Sequence, residues 1–376
     1  MAKLLAIFGT RPEAIKMAPL LLHLSKQKGF ESVVCITAQH RKMLDQVLEF
    51  FNIEVDFDLD LMVPNQTLSG LTCKIINGLE SVLEEVSPDL VLVHGDTTTA
   101  FAASLAAFYK KIPIGHVEAG LRTNNLYSPW PEEGNRKLIS SLANYHFCPT
   151  ENARANLLSE GISPEAIVVT GNTVVDSLTL ALNAIASDLS LSAIFKEKFK
   201  YLDFSKKLIL VTGHRRESFG EGFENICLAL KKLAIQNDDV QIIYPVHLNP
   251  SVQVPVSRVL GDIPNVFLIE PVDYVGFVYL MSRSYLILTD SGGIQEEAPT
   301  VGVPLFVMRE STERPEALLA GSMRLVGSSE SSIFSEVMAV LKCQKKYQKM
   351  RPKTNPYGDG NASVRIVDFL IEKEFF

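Results

Sequence analysis

Three acidic side chains stand where apolar runs stop. Asp96 closes Val93-His94-Gly95-Asp96, Glu118 follows His116-Val117, and Glu132 ends the turn-rich stretch Tyr127-Ser128-Pro129-Trp130-Pro131. A carboxylate at the end of an apolar run is costly unless it is paired or used, and three of them form a candidate set for proton transfer. A second group is cationic. Gly213-His214-Arg215-Arg216 sets an imidazole beside two guanidiniums, a combination suited to an oxyanion and most often to phosphate. A third is Asp290-Ser291-Gly292-Gly293, whose small residues at a helix start let backbone N–H groups approach a phosphate closely, with Glu297 one turn further on to accept from two vicinal ribose hydroxyls. Arg11 and Lys16 adjoin another helix start, and Arg314-Pro315-Glu316-Ala317 repeats Arg11-Pro12-Glu13-Ala14, each with an arginine at its mouth. Plainer readings stand beside these: Arg11 pairing with Glu13, Asp96 as a helix cap, Glu118 pairing with Arg122, Glu132 and Glu297 as ordinary first-turn acids, and His247 as a structural residue. No Gly-x-Gly-x-x-Gly follows the first strand and no Gly-Lys-Ser/Thr follows Gly293, so neither a dinucleotide fingerprint nor a P-loop is present.

The elements that must position these groups read as alternating strands and helices. Continuous apolar runs predict strands at Lys3–Gly9, Ser32–Ala38, Asp89–Gly95, Ile112–Ala119, Tyr145–Pro149 and Ala166–Gly171, then at Lys207–Gly213, Val240–His247, Asn265–Pro271, Ser284–Asp290, Pro304–Met308 and Arg324–Gly327. Unbroken rather than alternating hydrophobicity marks strands covered on both faces. Helical spacing between them, as at Leu68, Leu71, Ile75, Leu79, Val82 and Leu83, implies parallel sheets. The fold class expected is α/β, two Rossmann-like doubly wound domains facing a central cleft, with the ligand at the carboxyl ends of the strands. The expected division is residues 1–171 carrying the carboxylates, 172–356 binding the nucleotide, and 357–376 as a terminal helix packing back on the first domain. Ser187–Phe204 is polar and irregular and reads as a linker or an extra helix.

Composition sets the outer limits. The 376 residues suit roughly two domains; 47% apolar residues is too many for disorder, and a net charge of −7 argues against a broad nucleic-acid or membrane surface. No apolar run is long enough to span a bilayer. Five widely spaced cysteines with no Cys-x-x-Cys pair fit reduced thiols in a cytoplasmic protein and argue against a zinc site, so no metal is expected. From the residues alone, the ligand is a nucleotide or nucleotide-sugar.

The stretches Phe8–Pro19, Thr37–His40, Val93–Thr99, His116–Arg122, Ser128–Glu133, Val211–Gly220, Tyr244–Pro250, Leu288–Pro299, Thr312–Ala317 and Asn355–Gly360 closely resemble the non-hydrolysing UDP-N-acetylglucosamine 2-epimerases, in order along nearly the whole chain. The resemblance implies a GT-B fold, a cytoplasmic homodimer, no cofactor, and interconversion of UDP-N-acetylglucosamine with UDP-N-acetylmannosamine for surface polysaccharides. It implies a catalytic set of Asp96, Glu118, Glu132 and His214. Arg11 and Lys16 would line the substrate, while Phe277, Ser291, Gly292, Gly293, Glu297 and Arg314 would hold uridine and diphosphate; Arg215 joins His214 in taking the charge of departing UDP. Val272 stands where many relatives place Gln near the uracil. Gln39 and His247 match residues of a second, activating substrate site found in some relatives, whereas Lys42 and Asn65 differ from the Gln and Arg expected there. The competing expectation is a retaining UDP-sugar glycosyltransferase of the same architecture.

Overall fold

The computed structural model describes residues 1–37, 41–63, 66–213, 215 and 219–373, with Arg41 and Lys42 described by backbone alone. Seven parallel strands form the first sheet: β1 Ala2–Phe8, β2 Phe30–Ile36, β3 Phe57–Asp58, β4 Leu90–His94, β5 Ile114–Val117, β6 Tyr145–Cys148 and β7 Ile167–Val169. Their order is β3-β2-β1-β4-β5-β6-β7. Six form the second: β8 Lys207–Thr212, β9 Val240–Pro245, β10 Val266–Ile269, β11 Leu286–Thr289, β12 Leu305–Val307 and β13 Met323–Leu325, ordered β10-β9-β8-β11-β12-β13. In each, the first strand of the set lies beside the second and the fourth, so the winding reverses direction at that point. This is the Rossmann order, and the loops after the reversing strands are where such a sheet presents ligand-binding groups.

The apolar runs behave as fully covered strands. Leu5, Ile7, Val91 and Val93 have no measurable exposure, nor do Ile209, Val211, Leu286 and Leu288 at the centre of the second sheet. The twelve strands expected from sequence all form, each trimmed by a residue or two at one or both ends. The thirteenth, β3, is two residues long at the sheet edge, too short for any periodicity to reveal it. Threonines at strand ends start several helices: Thr10, Thr97 and Thr150 each accept a backbone N–H of the following turn. The polar stretch after Ser187 is a helix, Leu189–Lys198, whose cap Asp188 accepts from Ser190 and Leu191.

The chain divides into two compact units, Met1–Ser177 with Tyr357–Phe376, and Leu178–Pro356. The division falls inside the helix Thr173–Ser187. The helix Ala362–Glu372 completes the first unit: buried Asp176 accepts from the N–H groups of Ala362 and Ser363 at 3.2 and 2.8 Å, holding the start of that helix, which packs on the helix Arg11–Leu24. No single described helix is long and apolar enough to cross a membrane.

Candidate active site

In the first unit the turn after β1 is closed by Glu13. Its Oε2 accepts from the N–H of Gly9 at 3.1 Å and of Thr10 at 2.8 Å, and its Oε1 accepts from Thr97 Oγ1 at 2.7 Å. A first-turn acid therefore ties the loop carrying Arg11 to the loop carrying Asp96. Glu13 is buried, and that burial pushes its carboxyl above the ordinary range despite these three donors. Gly9 has no alternative here: an added Cβ would strike the Thr37 hydroxyl and lie 2.8 Å from Thr99 Oγ1. Arg11 is half-buried beside this turn. The cap of the helix Thr98–Tyr109 is Thr97, which accepts from Ala100 N; Asp96, one residue earlier, keeps its carboxylate for other partners.

Asp96 meets Arg136, whose Nη2 lies 2.5 Å from its Oδ2. Arg136 also reaches Glu133 at 3.2 Å, and Asn135 donates to the backbone carbonyl of Asp96 at 2.8 Å. Both belong to the helix Glu132–Leu142, so Asp96 is fastened to the helix that opens with Glu132. Glu133 is fully buried and accepts the N–H groups of Thr123 and Asn124, which makes it the structural acid of the pair. Glu132 is the contrasting neighbour: its Oε2 is buried with no hydrogen-bond partner among the described residues. A buried oxygen left so costs about 1–3 kcal/mol and is a common mark of a site built for a ligand.

Glu118 follows β5 with φ +64°, a left-handed conformation that a non-glycine side chain holds only when its surroundings demand it. The turn aims its carboxylate away from Arg122 and toward Lys16, which donates to Oε2. The same oxygen accepts from Asn172 Nδ2 at 2.8 Å and lies 3.8 Å from His94 Nε2. Arg122 pairs instead with Glu160, at 2.9 and 2.7 Å, and with Ser140. Burial pushes the His94 imidazole down to about 4 and that of His116 to about 3, so both are neutral near pH 7. His116 Nε2 therefore donates to the Gly95 carbonyl at 2.7 Å, fixing the turn before Asp96.

In the second unit three loops meet around the start of the helix Gly292–Val301. Ser291 caps it by position only, with no side-chain hydrogen bond to the first turn. The Arg314 guanidinium lies against that start: a Cβ on Gly292 would come 2.8 Å from Nη1. Arg314 is held by Glu296 at 2.7 Å and Glu313 at 2.6 Å. Burial alone would raise the Glu313 carboxyl, but Arg314 and Arg309 outweigh it and hold it down at about 2. Gln295 braces the loop, donating to the Ser291 carbonyl and accepting from Thr312 Oγ1 at 2.5 Å. Arg215 donates its backbone N–H to Asp290 at 2.8 Å, and its guanidinium lies 3.9 Å from Glu313. Tyr244 fixes the turn before it through a 2.8 Å bond to the Gly213 carbonyl. Glu297 is buried in the first turns of the same helix, and half-buried Phe277 lies on the helix Tyr274–Arg283, which packs against it. His214 lies outside the described residues, as do Gln39, Asn65 and the side chain of Lys42. His247 is exposed, and its Nδ1 accepts from Asn249 N in a local turn.

A profile of the UDP-N-acetylglucosamine 2-epimerase family matches residues 22–371. The chain is 58% identical over 368 residues to the UDP-N-acetylglucosamine 2-epimerase of Salmonella typhimurium and 57% identical over 368 residues to that of Escherichia coli, each match covering 98% of both chains. The chain belongs to the UDP-N-acetylglucosamine 2-epimerase family. Among solved structures, the UDP-N-acetylglucosamine 2-epimerase from Neisseria meningitidis, bound to UDP-N-acetylglucosamine, superposes with a TM-score of 0.94 at 53% identity over 98% of this chain and all of that one. The enzyme from Methanocaldococcus jannaschii, in complex with UDP-N-acetylglucosamine and UDP, gives 0.83 at 34% identity, covering 98% and 99%. This epimerase family is one of isomerases with a GT-B type α/β fold, as the sequence resemblance implied.

Sequence reasoning missed four side chains of the family member's first unit: Glu13 as a loop tie, His94, Arg136 and Asn172. Arg136 stands four residues after Glu132 on one helix, a spacing that places two side chains on the same face. Asn172 follows the sixth strand expected from sequence, and reading that strand end like the others finds it.

Proposed function

We propose that this chain catalyses the reversible, non-hydrolysing epimerisation of UDP-N-acetylglucosamine to UDP-N-acetylmannosamine at carbon 2 of the sugar. The observation that carries the reading is the presence, in one member of this family, of the acids Asp96, Glu118 and Glu132 and of an arginine-backed helix start at Ser291–Gly293. The hydrogen on carbon 2 is not next to a carbonyl, so a carboxylate alone does not remove it near pH 7. It becomes removable when the anomeric C–O bond breaks as well. The C–H electron pair then forms the C1–C2 double bond, the C–O pair leaves with UDP, and the proton passes to a carboxylate. Re-addition of UDP at carbon 1, with a proton delivered to carbon 2 from the opposite face, gives the epimer.

Asp96, Glu118 and Glu132 supply the acid and base on the two faces, with Arg11 and Lys16 lining the substrate. Departing UDP carries charge that His214, Arg215, Arg314 and the N–H groups at Ser291, Gly292 and Gly293 neutralise; such preorganised donors commonly supply the largest share of a rate enhancement. Glu297 takes the ribose hydroxyls and Phe277 the uracil. Support comes from the two solved relatives, one bound to UDP-N-acetylglucosamine and the other to that sugar nucleotide and UDP. In this reading the first unit carries the proton chemistry and the second holds UDP. The protein works in the cytoplasm, consistent with its five free thiols, as a homodimer, and its product feeds surface polysaccharide synthesis.

The deciding experiment is proton NMR of UDP-N-acetylglucosamine incubated with the protein in deuterium oxide. The expected product is UDP-N-acetylmannosamine carrying one solvent deuteron at carbon 2. Unlabelled epimer, release of free sugar with UDP, or conversion only when an acceptor is added would each overturn the proposal.

A further inference from the structure

Asn172 occupies an unusual junction. Its side-chain oxygen accepts from Val174 N at 3.0 Å and its backbone carbonyl from Val175 N at 3.1 Å, so it caps the helix Thr173–Ser187. Because Oδ1 must face a backbone donor, the amide nitrogen is forced to point the other way, and there Nδ2 donates to Glu118 Oε2 at 2.8 Å. Its own backbone N–H donates to the Tyr357 carbonyl at 2.6 Å. The residue is 2% exposed, so none of these bonds is exchanged with water.

The setting is where the chain leaves the first unit and later returns to it. Gly171 and Gly358, flanking Asn172 and Tyr357, meet back to back with positive φ values of 88° and 150°. A Cβ on Gly171 would lie 3.3 Å from Gly358 Cα and 3.4 Å from the Tyr357 carbonyl oxygen, and one on Gly358 would lie 3.4 Å from Asn172 N. Both glycines hold positive φ where an added Cβ would press on backbone, and the two backbones close on Asn172, which reaches Glu118.

We infer that Asn172 is a positioning residue for the epimerisation: its amide holds one oxygen of the Glu118 carboxyl group and registers it to the crossing of the outgoing and returning segments. The inference rests on the assignment of Glu118 to proton transfer. Helix capping by itself needs only an oxygen at this position; a donor toward Glu118 is what distinguishes asparagine from aspartate. Among the described residues, the charged and titratable groups facing Glu118 include Lys16 from the helix Arg11–Leu24 and His94 from the end of β4.

Asn172→Asp separates the two roles, because aspartate caps as well as asparagine but sets a like charge against Glu118. The expected result is a protein still folded at the assay temperature with kcat lowered about 10²-fold, KM and UDP affinity within about threefold of wild type, and an acid limb of the kcat profile moved to higher pH. Asn172→Ser, a neutral cap too short to reach Glu118, is expected to lower kcat about tenfold without moving the limb, and keeps the test open should the aspartate variant not fold. Wild-type kcat and pH profile in both variants, or a loss that tracks melting temperature and KM together, would overturn the inference. Glu118→Gln runs in parallel: if it retains wild-type turnover the site assignment fails, whereas an inactive Glu118→Gln beside fully active Asn172 variants defeats only the positioning role.

Discussion

At the scale of single residues, the acids of the first unit differ by what holds them. Glu13 and Glu133 are buried with donors on both oxygens, whereas Asp96 and Glu118 are each set against a cation and Glu132 keeps a buried oxygen with no donor among the described residues. Asp96→Asn and Glu118→Gln should each lower turnover by about 10²–10⁴, the usual scale for removing an acid or base, with folded protein by circular dichroism; wild-type deuterium incorporation at carbon 2 would refute the assignment. Arg314→Lys keeps a charge but loses the planar fork that reaches Glu296 and Glu313, and calorimetry should show UDP binding weakened at least about tenfold. Sequence gave the positions of the acids but not their partners. The five-residue window from Glu118 to Arg122 reads as an ion pair only if the backbone continues regularly, and a φ of +64° at Glu118 sends the two side chains apart.

At the scale of elements, strand ends are what the sequence exposed best, since unbroken apolar runs stop where the backbone reaches the ligand-binding edge. Features that depend on neighbouring strands were hidden. His94, His116 and His146 come from three adjacent strands, with His116 and His146 in register, and nothing in a linear reading places them together. Burial pushes them down to about 4, 3 and 4. Unfolded imidazoles near pH 6.5 therefore bind protons that the folded ones refuse, so stability should fall as pH drops from about 6.5 to about 4, by about 3 kcal/mol per histidine at about 1.4 kcal/mol per unit of depression. Urea unfolding at pH 7 and pH 4.5 measures the difference, and His116→Gln, which can still donate to the Gly95 carbonyl, should flatten it. Gly9→Ala tests the packing of the β1 turn: with Thr37 and Thr99 in the way, a loss of about 1–3 kcal/mol is expected in the same assay.

At the scale of the whole molecule, two Rossmann-ordered sheets were legible because six strands recur twice; the division itself lies within the helix Thr173–Ser187, six residues past the expected Gly171, and the first unit resumes at Tyr357. Asp176 sits on that helix and anchors the helix Ala362–Glu372, so Asp176→Ala removes two buried backbone bonds at a helix start. A loss of about 1–2 kcal/mol in the first unit is expected, and UDP binding should survive it; calorimetric unfolding with and without UDP checks both. The second unit is one uninterrupted stretch, Leu178–Pro356, whereas the first needs Tyr357 onward to be whole. On the ribosome the unit begun earlier is thus finished later. Tyr357, whose carbonyl holds Asn172, emerges only after every residue of the Leu178–Pro356 unit has been made, so the nascent chain carries that unit entire while the first still lacks its closing helix.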